Sequence, residues 1–186
     1  HTGHLQNIRK QKKKFPDVLK TVIETSDIIL EILDARFIKE TRNLSVEKQI
    51  KTAGKKLVHV VNKIDMTTIR KLRVDKEFIK LVNPIFVSVK SGKGANDLRA
   101  KVKMEAKKII KEGEIDSKRV VGVIGYPNVG KSSIINLITR KGIAKTAHKA
   151  GFTKGMQKVN FTDEIQILDS PGVIPEEHYT TTDKER

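Results

Sequence analysis

The chain has no cysteine among its 186 residues, which removes both a disulfide framework and a thiolate metal site from consideration. No apolar run approaches the roughly 18 residues that a membrane-spanning helix needs. The first residues are polar and basic instead of forming an apolar secretory segment. No cysteine stands at the C-terminus to carry a lipid anchor. Aromatic residues are 4% of the chain, too few for a platform of rings on which bases could stack. These absences lead us to expect a soluble, cytoplasmic, monomeric protein that does not engage a membrane.

Acidic residues are also scarce. Lys and Arg number 38 against 22 Asp and Glu, giving a formal net charge of +16. Such an excess favours a polyanionic partner, because neutralising phosphates releases condensed counterions. A solvated, Lys-rich surface is the competing explanation. The distribution favours the polyanion. Arg9, Lys10, Lys12, Lys13 and Lys14 stand together with no acid before Asp17, and Arg140, Lys141, Lys145, Lys149, Lys154 and Lys158 form a second acid-free stretch. With few aromatics, recognition of folded RNA by its backbone and shape fits better than base stacking.

Length permits one α/β domain with a well-buried core. Residues 1–14 form a basic N-terminal arm, and residues 15–186 form the domain. Val18, Leu19, Val22 and Ile23 lie at helical spacing within Phe15–Thr25. Ile28–Leu33 is a short apolar strand that ends at Asp34. Ser45–Thr52 is helical, Leu57–Val61 is a β-branched strand, and Met66–Leu81 is a charged helix. Ile85–Val89 is a third strand, ended by the turn Gly92-Lys-Gly94. Leu98, Val102, Ala106, Ile109 and Ile110 mark the inner face of a long helix. Val120–Ile124 is a fourth strand, and Ile134, Ile135, Leu137 and Ile138 line the helix after it. Lys141–Gly155 is a polar loop. Gln157–Phe161 and Ile165–Leu168 form a strand pair turning near Asp163. Six strands mostly separated by helices predict a largely parallel sheet covered on both faces. In such sheets ligands bind at the C-terminal ends of the strands.

Two strings carry the chemistry. Gly125-Tyr-Pro-Asn-Val-Gly130-Lys131-Ser132 fits G-x-x-x-x-G-K-[ST], a phosphate-binding loop, and it follows a strand and opens a helix as that motif requires. Its backbone N–H groups, from Asn128, Val129, Gly130, Lys131, Ser132 and Ser133, would turn toward phosphate oxygens at a helix N-terminus. Lys131 should reach the β- and γ-phosphates, and the Ser132 hydroxyl should bind Mg²⁺. Asn62-Lys63-Ile64-Asp65 is the string of a guanine reader. Asp65 can accept from the ring N–H and the exocyclic amine of guanine, a donor pair that adenine lacks. A buried carboxylate left half-paired would reject adenine. The stem of Lys63 can lie over the base, and Asn62 can tie this loop to the phosphate loop. Ser88-Val89-Lys90 ends the next strand, where backbone N–H groups can meet the guanine carbonyl oxygen. Asp169-Ser-Pro-Gly172 fits D-x-x-G: Asp169 would hold a Mg²⁺ water, and the Gly172 N–H would sense the γ-phosphate. Thr153 is the candidate second hydroxyl ligand to Mg²⁺, with Thr146 next. The guanine reader precedes the phosphate loop, the reverse of an ordinary small GTPase, so the fold is expected to be circularly permuted.

These residues resemble the circularly permuted GTPases of the YlqF/RbgA and YawG type, within the class that includes Era and TrmE. Members carry the five GTPase motifs in the order 4-5-1-2-3. Here that order is Asn62 to Asp65, Ser88 to Lys90, Gly125 to Ser132, Thr153, and Asp169 to Gly172. Leu33-Asp34-Ala35-Arg36 resembles the family's D-A-R signature, with the Arg42-Asn43 pair following, and Gly3-His4 resembles an N-terminal Gly-His. The chain departs at Ala150-Gly-Phe-Thr153, where the family usually has Pro-Gly-Thr-Thr, and it lacks prolines often found after D-A-R.

The resemblance implies a three-layer P-loop GTPase domain with the strand order of an ordinary GTPase, binding GTP or GDP with Mg²⁺. It implies a role in ribosome assembly, through nucleotide-controlled binding to rRNA or a ribosomal subunit. The family's C-terminal RNA-binding domain is not evident before Arg186. Val173 stands where many GTPases carry a glutamine that orients water. The resemblance offers Asn128, which would help to hold K⁺, and His4, acting on the water, as substitutes; His148 is a lesser candidate. Slow intrinsic hydrolysis stimulated by RNA is the expectation. The alternatives are a tRNA- or translation-linked GTPase and a regulatory switch that binds a protein.

Overall fold

The computed structural model describes residues 17–109, 117–139 and 156–170. Along the chain these form a helix over 17–25 (α1), β1 (Ile28–Asp34), α2 (Ile38–Thr41), α3 (Leu44–Thr52), β2 (Lys56–Asn62), a 3₁₀ turn (Ile64–Met66), α4 (Ile69–Val74), α5 (Lys76–Ile79), β3 (Ile85–Phe86), α6 (Ala95–Lys108), β4 (Arg119–Gly125), α7 (Lys131–Thr139), β5 (Gln157–Asn160) and β6 (Ile165–Asp169).

The six strands form one sheet in the order β3-β2-β1-β4-β6-β5, parallel except for the antiparallel β5–β6 pair. All seven residues of β1 are buried, as expected of a central parallel strand covered on both faces. Alternation sends Ile28, Leu30 and Ile32 to one face, where they pack with Leu98 and Val102 of α6 and Ile134 and Ile138 of α7. Ile29 goes to the other face with Leu19, Val22 and Ile23 of α1 and Val46 and Ile50 of α3. The result is three layers. Arg99 of α6 ties two of the helices together, donating to the carbonyls of Leu137 (2.5 Å) and Ile138 (3.2 Å), end-of-helix acceptors that α7 itself cannot satisfy.

Three local expectations are corrected. Met66–Leu81 is not one helix but a 3₁₀ turn followed by α4 and α5. Asp75 interrupts it, because its carboxylate accepts from the N–H groups of Glu77 (2.8 Å) and Phe78 (3.0 Å) and so begins a new helix. The strand expected over Ile85–Val89 stops at Phe86, and Ser88 instead bridges to Lys93. The turn beneath it needs glycine at position 94, where φ is +80° and a Cβ would overlap the Phe86 carbonyl. The helix expected to reach Ile110 ends at Lys108, with Ile109 extended.

Candidate nucleotide site

The parallel register sets three strand ends side by side. Asp34 of β1 lies level with Asn62 of β2, and Ile32 of β1 pairs with Gly125 of β4. The guanine-reader string therefore leaves the sheet two strands away from the phosphate loop, with the end of β1 between them.

Asn62 spans that gap. Its side chain is buried, its Nδ2 donates to the Val129 carbonyl at 2.9 Å, and its Oδ1 faces the Val89 N–H at 3.4 Å. One amide thus joins the phosphate loop and both base-side strings. Gly130 makes this possible twice over: its φ is +97°, and a Cβ there would overlap Asn62 Nδ2. Lys63, itself left-handed at φ 65°, donates from Nζ to the Asn128 carbonyl at 2.5 Å, and the same ammonium lies 3.1 Å from Asp34.

Asp65 accepts from the buried Ser88 hydroxyl at 2.6 Å, and this bond, with Lys90 and Arg36 nearby, lowers its pKa. The carboxylate is exposed, so burial that would enforce selectivity has to come from the base itself. Of the three expected base-side N–H groups, that of Ser88 is taken by the Lys93 carbonyl at 3.0 Å and that of Val89 faces Asn62. Among the described residues the Lys90 N–H has no such partner.

On the phosphate side, Val129 is buried under the loop while Asn128, Ser132 and Ser133 are exposed. Lys131 donates to the carbonyl of Ser170 and lies 3.8 Å from Asp169 at the end of β6. Burial lowers its pKa, with Asp169 opposing. The Ser170 hydroxyl donates to the Val123 carbonyl at 3.2 Å, pinning this segment to β4. Ser132 and Asp169 present hard oxygen donors of the type Mg²⁺ selects. His4, Thr146, His148, Thr153, Gly172, Val173, the 1–14 arm and the basic loop lie outside the described residues.

Two features were not foreseen. One is the position of Asp34 and Arg36 beside Lys63. The other is a buried cluster behind the site. Glu31 of β1 pairs in register with His59 of β2, and His59 Nε2 lies 3.3 Å from Glu31 and 3.1 Å from Glu47 of α3. Burial opposes the His59 charge, but the two carboxylates outweigh it and raise its pKa to about 9; Glu47 is held at about 2, against burial, by His59 and Arg42. The three ligand atoms lie within 4.8 Å of one another, close enough for a metal. Arg42, however, already forks onto both Glu47 oxygens at 2.7 and 3.0 Å. His59 and Arg42 thus form an ion-pair network with Glu31, Glu47 and Glu77, the last 3.5 Å from Arg42; burial raises the pKa of Glu31, which also accepts from the Asn43 N–H at 3.0 Å, fixing the turn into α3. The signal in the sequence was a lone acid inside the apolar run of β1.

A parallel sheet with a phosphate loop at one strand end, a guanine-reader string at another and one asparagine joining them defines a P-loop GTPase fold entered at a different point. The family described as 50S ribosome-binding GTPase matches residues 120–186. An uncharacterized GTP-binding protein of Methanocaldococcus jannaschii is 43% identical over 167 residues, covering 90% of this chain and 43% of that protein. The nuclear GTP-binding protein of Saccharomyces cerevisiae is 33% identical over 184 residues, covering 89% of this chain and 35% of that protein. The structure of GNP-bound YlqF from T. maritima has the same fold, with a TM-score of 0.58 at 22% identity, over 88% of this chain and 59% of that one. The chain is thus similar in sequence to GTP-binding proteins and shares the fold of YlqF. It spans less than half the length of these two curated relatives.

Proposed function

We propose that the protein binds GTP and GDP, hydrolyses GTP slowly on its own, and acts in ribosome assembly by nucleotide-controlled binding to rRNA or a ribosomal subunit. The observation that carries the nucleotide half is Asn62, which holds the guanine-reader loop and the phosphate loop in one rigid unit. Asp65, oriented by Ser88, selects guanine, and Lys63 covers the base. The N–H groups of residues 128–133 and the Gly172 N–H take the phosphates. Lys131 would exchange its present acceptor, the Ser170 carbonyl, for phosphate oxygens, so phosphate binding and the position of the 169–172 segment are linked. Ser132, Thr153 and, through water, Asp169 would hold Mg²⁺, which would supply charge neutralisation to the phosphates. Asn128 is our candidate for a K⁺ ligand and His4 for the group acting on water, given the apolar Val173.

The net charge of +16 supports an RNA partner, and the family described as ribosome-binding supports the ribosome. No described helix is long and apolar enough to cross a membrane. The compartment then follows the assembling ribosome: cytoplasm is our reading, although the yeast relative is named nuclear. We read the protein as a monomer. Co-sedimentation with ribosomal subunits, in a GTP analogue and in GDP, tests the proposal. Stronger binding in the analogue is expected, and equal binding in both would refute nucleotide control.

A further inference from the structure

The end of β1 lies between the two halves of the nucleotide site, and its last residue has no assigned role there. Asp34 is nearly buried, with its side chain 5% exposed. Arg36 locks it in place, donating from Nε to Oδ1 at 3.0 Å, from Nη2 to Oδ2 at 2.8 Å and from its backbone N–H to Oδ1 at 3.0 Å. The Thr41 hydroxyl accepts from the Asp34 N–H at 3.0 Å, so backbone and side chain are both fixed. Against this carboxylate sits the Lys63 ammonium at 3.1 Å, whose other acceptor is the Asn128 carbonyl of the phosphate loop. Burial opposes the Asp34 charge, yet the Arg36 bonds and Lys63 hold its carboxyl at about 2, so it is ionised throughout the working range. Arg36 also acts electrostatically on Asp65. Charges therefore alternate across the base side of the site: Lys63, Asp34, Arg36, Asp65.

Resting on the guanine-nucleotide reading above, we propose that Asp34, held by Arg36, is a positioning residue that fixes the Lys63 side chain along the base site. Lys63 has four rotatable bonds and one backbone carbonyl to aim at. A free lysine stem would have to be ordered by each nucleotide that binds, at the cost of its rotamer entropy. A buried, ionised carboxylate on the strand between the two loops orders it beforehand. Nothing here requires Asp34 to touch the nucleotide.

The test is a double-mutant cycle read by the dissociation rate of a fluorescent GDP, with inorganic tripolyphosphate competition as the phosphate-only control. Asp34→Asn should speed GDP release roughly tenfold, the lower end of what losing a group that orients a ligand-contacting residue costs. Arg36→Gln, on the exposed side of the pair, should act in the same direction if Asp34→Asn proves hard to fold. Competition by tripolyphosphate should stay as in the parent. In a Lys63→Met background, Asp34→Asn should add nothing, because its target is gone. An effect of Asp34→Asn or Arg36→Gln that persists undiminished beside Lys63→Met overturns the proposal, as does an equal weakening of tripolyphosphate. If the parent protein binds no GDP with Mg²⁺, the nucleotide reading itself fails. If it binds and the cycle is additive, only the role of Asp34 fails.

Discussion

Gly130→Ala is the sharpest perturbation the site offers. A methyl at this position must adopt a φ of +97°, which costs about 1–2 kcal/mol for an L-residue. It also collides with Asn62 Nδ2. Asn62 is buried and cannot swing into solvent, so it would surrender its 2.9 Å bond to the Val129 carbonyl, for a further ~1–3 kcal/mol. The sum is roughly 2–5 kcal/mol. At about 2–4 °C per kcal/mol for a chain of this size, the melting temperature should fall by roughly 5–20 °C. Calorimetry of Gly130→Ala, Asn62→Ala and the double variant separates the two contributions. With Asn62 truncated there is nothing to collide with, and alanine at 130 should cost only its backbone strain. We expect a coupling of about 1–3 kcal/mol, and the double variant should be more stable than the sum of the single variants implies. Additivity within about 0.5 kcal/mol would show that the two loops are not joined through this contact.

Other expectations follow from the same geometry. Asp65→Asn should weaken GDP and strengthen binding of a xanthine nucleotide, measured by competition; unchanged preference would remove Asp65 from base reading. The raised His59 value makes its stabilisation complete below its ordinary 6.5 and lost as pH rises through about 9. Denaturant titrations should show a loss on the order of 3 kcal/mol across that window, and His59→Gln should flatten it; a slope untouched by the substitution would refute the ion pairing. Arg99→Met should lower stability by about 1–3 kcal/mol by stranding the Leu137 and Ile138 carbonyls, and a thermal melt unmoved within error would refute it. RNA binding should weaken steeply with salt; binding insensitive to salt would favour a protein partner instead.

Much of the fold was legible because the strands that matter are dominated by apolar residues. Ile28–Leu33, Leu57–Val61 and Val120–Ile124 are mainly β-branched and leucine runs too short for buried helices, and each was placed to within one residue at either end. The failures share a cause. Met66–Leu81 alternates charge and apolar side chains without a break signal other than Asp75, and a carboxylate inside a charged segment can be either a surface residue or a cap. The four-residue helix Ile38–Thr41 is too short to show a period. The site strings were found because their chemistry is local: a lysine and serine after a glycine turn, an asparagine and aspartate after a buried strand.

The sequence by itself determined which chemical groups the candidate nucleotide site offers and in what order, since motif order is a property of the chain and the permutation needs no coordinates. Tertiary structure alone decided how those groups reach one another. Asn62 and Val129 are 67 residues apart and meet because only β1 stands between their strands in the sheet. Glu31 faces His59, and Asp34 lies beside Asn62, because parallel register set them level. Register is fixed by which side chains must be buried on each face, a condition the whole sheet satisfies at once and no single segment can state.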